Sequence, residues 1–252
     1  MKNAIAASVL ICLLAMGCTQ APPAGSSVSD VANPTPTVIP TGTPRPLLAC
    51  PGENGTITRC GCVIGQPGSY SLQHDLTALR EETCVTFTAG SSGSVLDCAG
   101  HSMTGAKRKD EASGVLVANA SNITVLDCAV STFKHGIFLS NSSGSVVEGS
   151  NMADNMYGLH LNASTGSIIT GNIAVSPGCE SSMAVVVNAS SGNTFTDNII
   201  CGGDVNILCD SAQEDGSGNT CGLNGAGDCG LSCAVECVLS GTLGIGGGTG
   251  EE

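Results

Sequence analysis

The chain has 252 residues, 21 of them acidic and 8 basic, for a formal charge of −13. No Lys or Arg follows Lys134, and an acidic surface without a basic stripe excludes nucleic acid and electrostatic docking on anionic lipid. Fifteen cysteines point to an oxidising compartment, where most would pair.

Lys2 precedes an apolar run, Ala4 to Met16, that is too short to span a bilayer. It predicts a signal peptide over residues 1–17. Leu14-Ala15-Met16-Gly17-Cys18 resembles a lipobox, which would make Cys18 the lipidated N-terminus and the protein's one link to a membrane. The alternative is an ordinary secretion signal, since Ala15 stands where that motif usually has a larger aliphatic residue. Residues 18–46, with VANPTPTVIPTGTPRP, form a Pro/Thr/Ser-rich tether that has nothing with which to build a core. Residues 47–93 carry Cys50, Cys60, Cys62 and Cys84 among short strand candidates and read as an N-terminal cap with the first coils. A solenoid needs such a cap because its open end exposes apolar layers and unpaired strand edges.

Residues 94–200 are the regular part, and from Gly114 one phrase is said four times. The lines are GVLVANASNITVLDCAV, GIFLSNSSGSVVEGSNM from Gly136, GLHLNASTGSIITGNIA from Gly158 and AVVVNASSGNTFTDNII from Ala184, with starts 22, 22 and 26 residues apart. That period marks a solenoid, all-β, whose coils bury their apolar sides only against one another. In the first run the columns Val115, Ile137, Leu159, Val185 and Val117, Leu139, Leu161, Val187 should point inward, and Leu116, Phe138, His160, Val186 outward. In the second run, Leu96, Leu126, Val147, Ile169 and Phe195 form another apolar column, followed by Asp97, Asp127, Glu148, Thr170 and Thr196. Asn172 and Asn198 align at a turn, where an asparagine ladder would satisfy backbone groups that strands cannot.

The G-hydrophobic-x-hydrophobic-N-x-S phrase, the S-hydrophobic-x-x-N phrase and LDCAGHSMTG (Leu96 to Gly105) resemble right-handed parallel β-helix repeats of the NosD-like, periplasmic copper-binding type, within the wider pectate-lyase-like fold. The resemblance covers roughly residues 60 to 225 and implies a β-helix of about seven coils. Such repeats are structural and carry no catalytic signature of their own.

Residues 201–240 crowd Cys201, Cys209, Cys221, Cys229, Cys233 and Cys237 among Gly and Asp and read as the last coil and a C-terminal cap; 241–252 is a Gly-rich tail. With Cys98 and Cys128, which occupy the same place in successive second runs, these six are the disulfide candidates. Thiolate ligation of a metal by Cys60-x-Cys62 or by Cys229, Cys233 and Cys237 is the competing reading, disfavoured by an exported context.

Lyases of this fold that act on uronic acids need cations, and only Arg45, Arg59, Arg80 and Arg108 are present among arginines, none on the later coils. Asp97, Asp127 and Glu148 are the candidate catalytic carboxylates, adjacent at about the rung spacing of 4.8 Å, against the plain alternative of a solvated acidic face. No cofactor is called for, although calcium suits the acidic turns holding Asp204, Asp210, Glu214, Asp215 and Asp228. Met152, Met156 and His160, spaced by four, with His135 one coil earlier, are the weak copper candidates. Phe133, Lys134, His135, Phe138, Tyr157 and His160 gather the scarce aromatics on two successive coils and form the preferred contact patch. The leading expectation is a non-catalytic cell-envelope protein presenting a rigid ridged surface to a polysaccharide or an envelope protein. The alternatives are a polysaccharide-active enzyme using the carboxylates and a metal-handling accessory protein.

Overall fold

The computed structural model describes residues 55–108, 110–176, 182–202, 205–221 and 229–233. Its short strands rotate in turn among three sheets, and the pairings are parallel. The first sheet has seven strands: Cys62–Ile64, Val85–Phe87, Ser113–Ala118, His135–Ser140, Tyr157–Asn162, Met183–Asn188 and Val205–Cys209. The second has eight, including Val95–Asp97, Thr124–Leu126, Val146–Glu148, Ile168–Thr170 and Thr194–Thr196; the third has seven, including Ser102–Thr104, Ala129–Ser131, Asn151–Ala153, Ile173–Ser176 and Ile199–Gly202. A parallel partner cannot be reached by a hairpin. Here the chain returns by passing through the other two sheets, and each circuit is one coil of a parallel β-helix of about seven coils.

In the first sheet the columns Val115, Ile137, Leu159, Val185 and Val117, Leu139, Leu161, Val187 are in register and buried, as the alternation requires. The second sheet departs from the sequence reading by one residue. Val125, not Leu126, is buried between Leu96 and Val147. Leu126 pairs with Asp97 on one side and Glu148 on the other, so Asp127 leaves the strand column altogether. Asp127 sits in the following turn at φ 50°, and its amide donates to Glu148 O. The turn of the next coils has the same positive φ at Gly149, Gly171 and Asp197, and only this alignment stacks residue types that tolerate it. Because strand side chains alternate, a slip of one residue exchanges the two faces.

The third sheet buries Met103, Val130, Met152, Ala174 and Ile200. Its strands have two to four residues, and the three-residue ones turn a single side chain inward, too few for a period to be read. At the start of the first three phrases a glycine is needed, whereas the fourth starts with Ala184. A Cβ on Gly136 would lie 2.4 Å from Gly158 O, and one on Gly114 would lie 2.8 Å from Gly136 O.

The corner between the second and third sheets changes its chemistry along the axis. Cys98 and Cys128 are joined in a disulfide. The Cys128 amide donates to Ser150 Oγ (3.2 Å), the Ser150 amide to Asn172 Oδ1 (2.9 Å), the Asn172 amide to Asn198 Oδ1 (3.0 Å) and the Asn198 amide to Asn219 Oδ1 (3.1 Å). Asn172 and Asn198 also donate from Nδ2 to the carbonyls of Val147 and Ile169, each at 2.8 Å. The expected asparagine ladder is thus present, and it satisfies backbone groups that the bend takes out of the sheets.

Disulfides close both ends. Cys60 pairs with Cys84 at the N-terminal end. Cys209–Cys229 and Cys221–Cys233 bring the segment 229–233, with buried Leu231, against the last coil. Cys62 and Cys201 are disulfide-bonded too, so the thiolate reading of Cys60, Cys62, Cys229 and Cys233 is overturned. The signal peptide, Cys18, the tether, Cys237 and the tail lie outside the described residues.

Substituting Asn198→Ala removes the side chain that serves Asn172 N, Asn172 Nδ2, Ile169 O and Asn219 Oδ1. We expect a loss of about 1–3 kcal/mol for a buried polar group left unsatisfied. Urea unfolding should show it as a lowered midpoint, whereas Glu148→Gln on the exposed face should change stability by less than about 0.5 kcal/mol.

Candidate functional site

The six-residue strands of the first sheet send every second side chain away from the core. Phe138 lies between inward Ile137 and Leu139, and His160 between inward Leu159 and Leu161, so both face outward, paired in register. Their column runs Leu116, Phe138, His160, Val186, Leu208. Two residues further along the same strands a second outward column runs Ala118, Ser140, Asn162, Asn188. His135 and Tyr157 pair at the strand starts and bring their rings to the same place.

Ring centroids are 4.6 Å apart for His135 and Phe138, 4.5 Å for Phe138 and His160, and 5.0 Å for His135 and His160, with planes within 24° of parallel. The imidazoles meet edge to edge, Nδ1 to Nδ1 at 3.1 Å. A near-equilateral triangle of near-parallel rings then places Phe138 over the junction between them. Tyr157 closes the group at 5.2 Å from His135 and 5.7 Å from His160.

Burial determines the charge of this pair. It pushes His135 down to about 3, with the charges of His160 and Lys134 adding to the effect, and His160 down to about 4, with Lys134 adding. Both rings are neutral at neutral pH. Asn188 Nδ2 lies 3.3 Å from His160 Nε2, and an amide nitrogen can only donate. With the carboxamide in that orientation, His160 carries its proton on Nδ1 and donates to Nδ1 of His135, which is then protonated on Nε2.

Other expected residues fall elsewhere. Phe133 is 1% exposed and belongs to the core, its amide donating to Asn155 Oδ1 at 3.0 Å. The corner turns it inward, so it leaves the contact patch. Lys134 Nζ is engaged by Glu111 Oε1. Met152 is fully buried in the third sheet's inward column and cannot join outward His160 in a metal site; half-buried Met156 pairs through its backbone with Phe133 and Met183. Asp97 Oδ1 accepts from Ala99 N at 2.8 Å, and Leu126 separates Asp97 from Glu148, so the three carboxylates form no continuous stack. Asp210 Oδ2 accepts from Ala189 N, and Asp215 accepts from Ser217 N, Asn219 Nδ2 and Ser232 N. Those backbone bonds hold the Asp215 carboxyl below its ordinary range. Among the described residues no group of three or more His, Cys, Asp or Glu is placed to hold a metal. Asp204 and Asp228 lie outside them.

The sequence model of the periplasmic copper-binding protein NosD matches residues 53–224, more than half of the chain. The chain belongs to the NosD family. No curated protein matches it in sequence. Among solved structures, the catalytic domain of a GH87 α-1,3-glucanase in complex with nigerose is 13% identical, with a TM-score of 0.40, over 76% of this chain and 40% of that one. A variant of such a domain with tetrasaccharides is also 13% identical, with a TM-score of 0.41, over 82% of this chain and 47% of that one. The NosD-family chain thus spans less than half the length of either.

Within this NosD-family fold the donor chemistry closest to a copper site is the imidazole pair, which would take that metal in place of the proton between the two Nδ1 atoms, buried Met152 not being available. The four disulfides named above belong to an oxidising, extracytoplasmic setting.

A pH dependence follows. Unfolded, both imidazoles take a proton near pH 6.5; folded, they refuse it until about 4 and about 3. Across that window the unfolded chain binds more protons, so stability falls as the pH drops from above 6.5 towards 3. Thermal melts at closely spaced pH values should show the decline, and His135→Asn combined with His160→Asn should flatten it. A slope unchanged by the double substitution would contradict the buried, neutral pair.

Proposed function

We propose that this protein is a non-catalytic binding protein of the cell exterior whose first-sheet face holds a glycan. The observation that carries the reading is the concentration of Phe138, Tyr157, His135 and His160 into one ring cluster, in a chain with no Trp, two Tyr and four Phe. Rings of this kind offer apolar surface and few rotamers to lose, which suits the apolar faces of sugars. The ordered sheet beneath them supplies a platform that needs no rearrangement. The interrupted carboxylate column counts against a hydrolase, which needs two carboxyl groups facing a common bond.

Immobilised polysaccharides should retain the wild-type domain, and Phe138→Ala with Tyr157→Ala should weaken retention at least about tenfold, the loss of roughly 1.4 kcal/mol. No new reducing ends should form. Retention that survives the double substitution removes the patch. Retention that fails on every glycan while an envelope protein is captured through the same residues turns the reading to a protein partner.

A second reading has one specific support, the 3.1 Å approach of His135 Nδ1 and His160 Nδ1 in a family whose name refers to copper. If this pair holds copper, equilibrium dialysis near micromolar metal retains one ion per chain and His160→Ala abolishes retention; no retention by the wild type ends this reading.

A further inference from the structure

We infer that the ligand of this face is a neutral polymer lying along the solenoid axis, crossing successive coils. The inference rests on the reading that the face binds glycan and adds the class and direction of that glycan.

Among the described residues the cations that flank this face are engaged by carboxylates, Arg108 by Asp154 in the turn before Tyr157 and Lys134 by Glu111. No Lys or Arg follows Lys134 in the chain, and the two imidazoles are uncharged because they are buried together beneath Phe138. A carboxylate or sulfate brought here would lose hydration with no unpaired counter-charge to replace it. Neutral hydroxyls meet suitable partners instead. Ser140, Asn162 and Asn188 stand in one outward column, each one coil beyond the last, beside the ring column. The Ser140 hydroxyl and the Asn162 carboxamide are not engaged by any other described side chain, and Asn188 spends only Nδ2, on His160. Their acceptors and donors are left for a ligand.

Direction follows from the repeat. Along a strand the outward chemistry changes from ring to amide within two residues, whereas along the axis it recurs at the strand spacing of about 4.8 Å. Leu116 prolongs the apolar column beyond Phe138, and Leu208, 42% exposed, resumes it two coils beyond His160, with Val186 between them buried at 4% exposure. A chain of like sugars laid along the axis meets Leu116, Phe138 and His160 in turn on one side and Ser140, Asn162 and Asn188 in turn on the other. A chain laid across the axis meets each kind once.

Calorimetric titration with length ladders of xylo- and cello-oligosaccharides, against oligogalacturonate of equal length and with EDTA present throughout, tests this. Affinity for at least one neutral ladder should rise with length, level off once the polar column is spanned, and hold steady as salt is raised. Asn162→Ala should weaken it roughly two- to tenfold, the worth of one hydrogen bond, with an unchanged melting temperature. Oligogalacturonate binding as tightly as the neutral ladders overturns the neutral class and leaves the platform standing. Equal affinity at every length overturns the axial placement. No binding of any ladder removes the platform reading itself.

Discussion

Every part of this molecule answers to one constraint: a residue's nearest neighbours along the axis are the residues at the same position in the coils above and below. Parallel pairing in register imposes it, at a spacing of about 4.8 Å. Aliphatic positions stack into dry columns, from Val115 to Val185 and from Val117 to Val187. Polar residues at the bends must likewise find partners in the same column, since water cannot reach them. Hence Ser150, Asn172, Asn198 and Asn219 pass hydrogen bonds down one corner. Where the column holds cysteines at adjacent levels, Cys98 and Cys128, it closes covalently instead.

The same rule applied outward makes the candidate site. Phe138 and His160 are neighbours because they hold one position in successive coils, and His135 and Tyr157 join them from the strand starts. A loop could bring such rings together only through its particular tertiary path; a solenoid does so by repetition. Crowding four rings excludes water, and loss of water keeps both imidazoles neutral. The ring cluster and the neutrality of its two imidazoles therefore have a single origin. Membership of the NosD family accords with the fold, and a fold of this kind leaves activity to the residues on its faces.

Legibility in the sequence varied with strand length. The first sheet's six-residue strands show three alternations apiece, and both inward columns were readable residue by residue. The second sheet's three-residue strands permit two registers. Leu126 is the larger apolar side chain and draws the alignment to itself, yet the turn requires Asp127 opposite Gly149, and Val125 goes inside. That single slip dissolved the acidic column of Asp97, Asp127 and Glu148. The third sheet left no period at all. Phe133 looked like a surface ring because it adjoins Lys134 and His135, and only the path of the corner turns it into the core.

The residues by themselves determined a coiled, stacked, disulfide-closed architecture, because a repeat of 22 residues with aliphatic columns can bury them in no other economical way. Tertiary structure alone decided which side of a short strand is wet, which cysteines pair apart from Cys98 and Cys128, and that His135 and His160 face each other nitrogen to nitrogen. The physical reason is range: alternation and periodicity are local properties of a chain. The register between coils, the sense of a bend and the protonation of a buried ring depend on atoms more than twenty residues away.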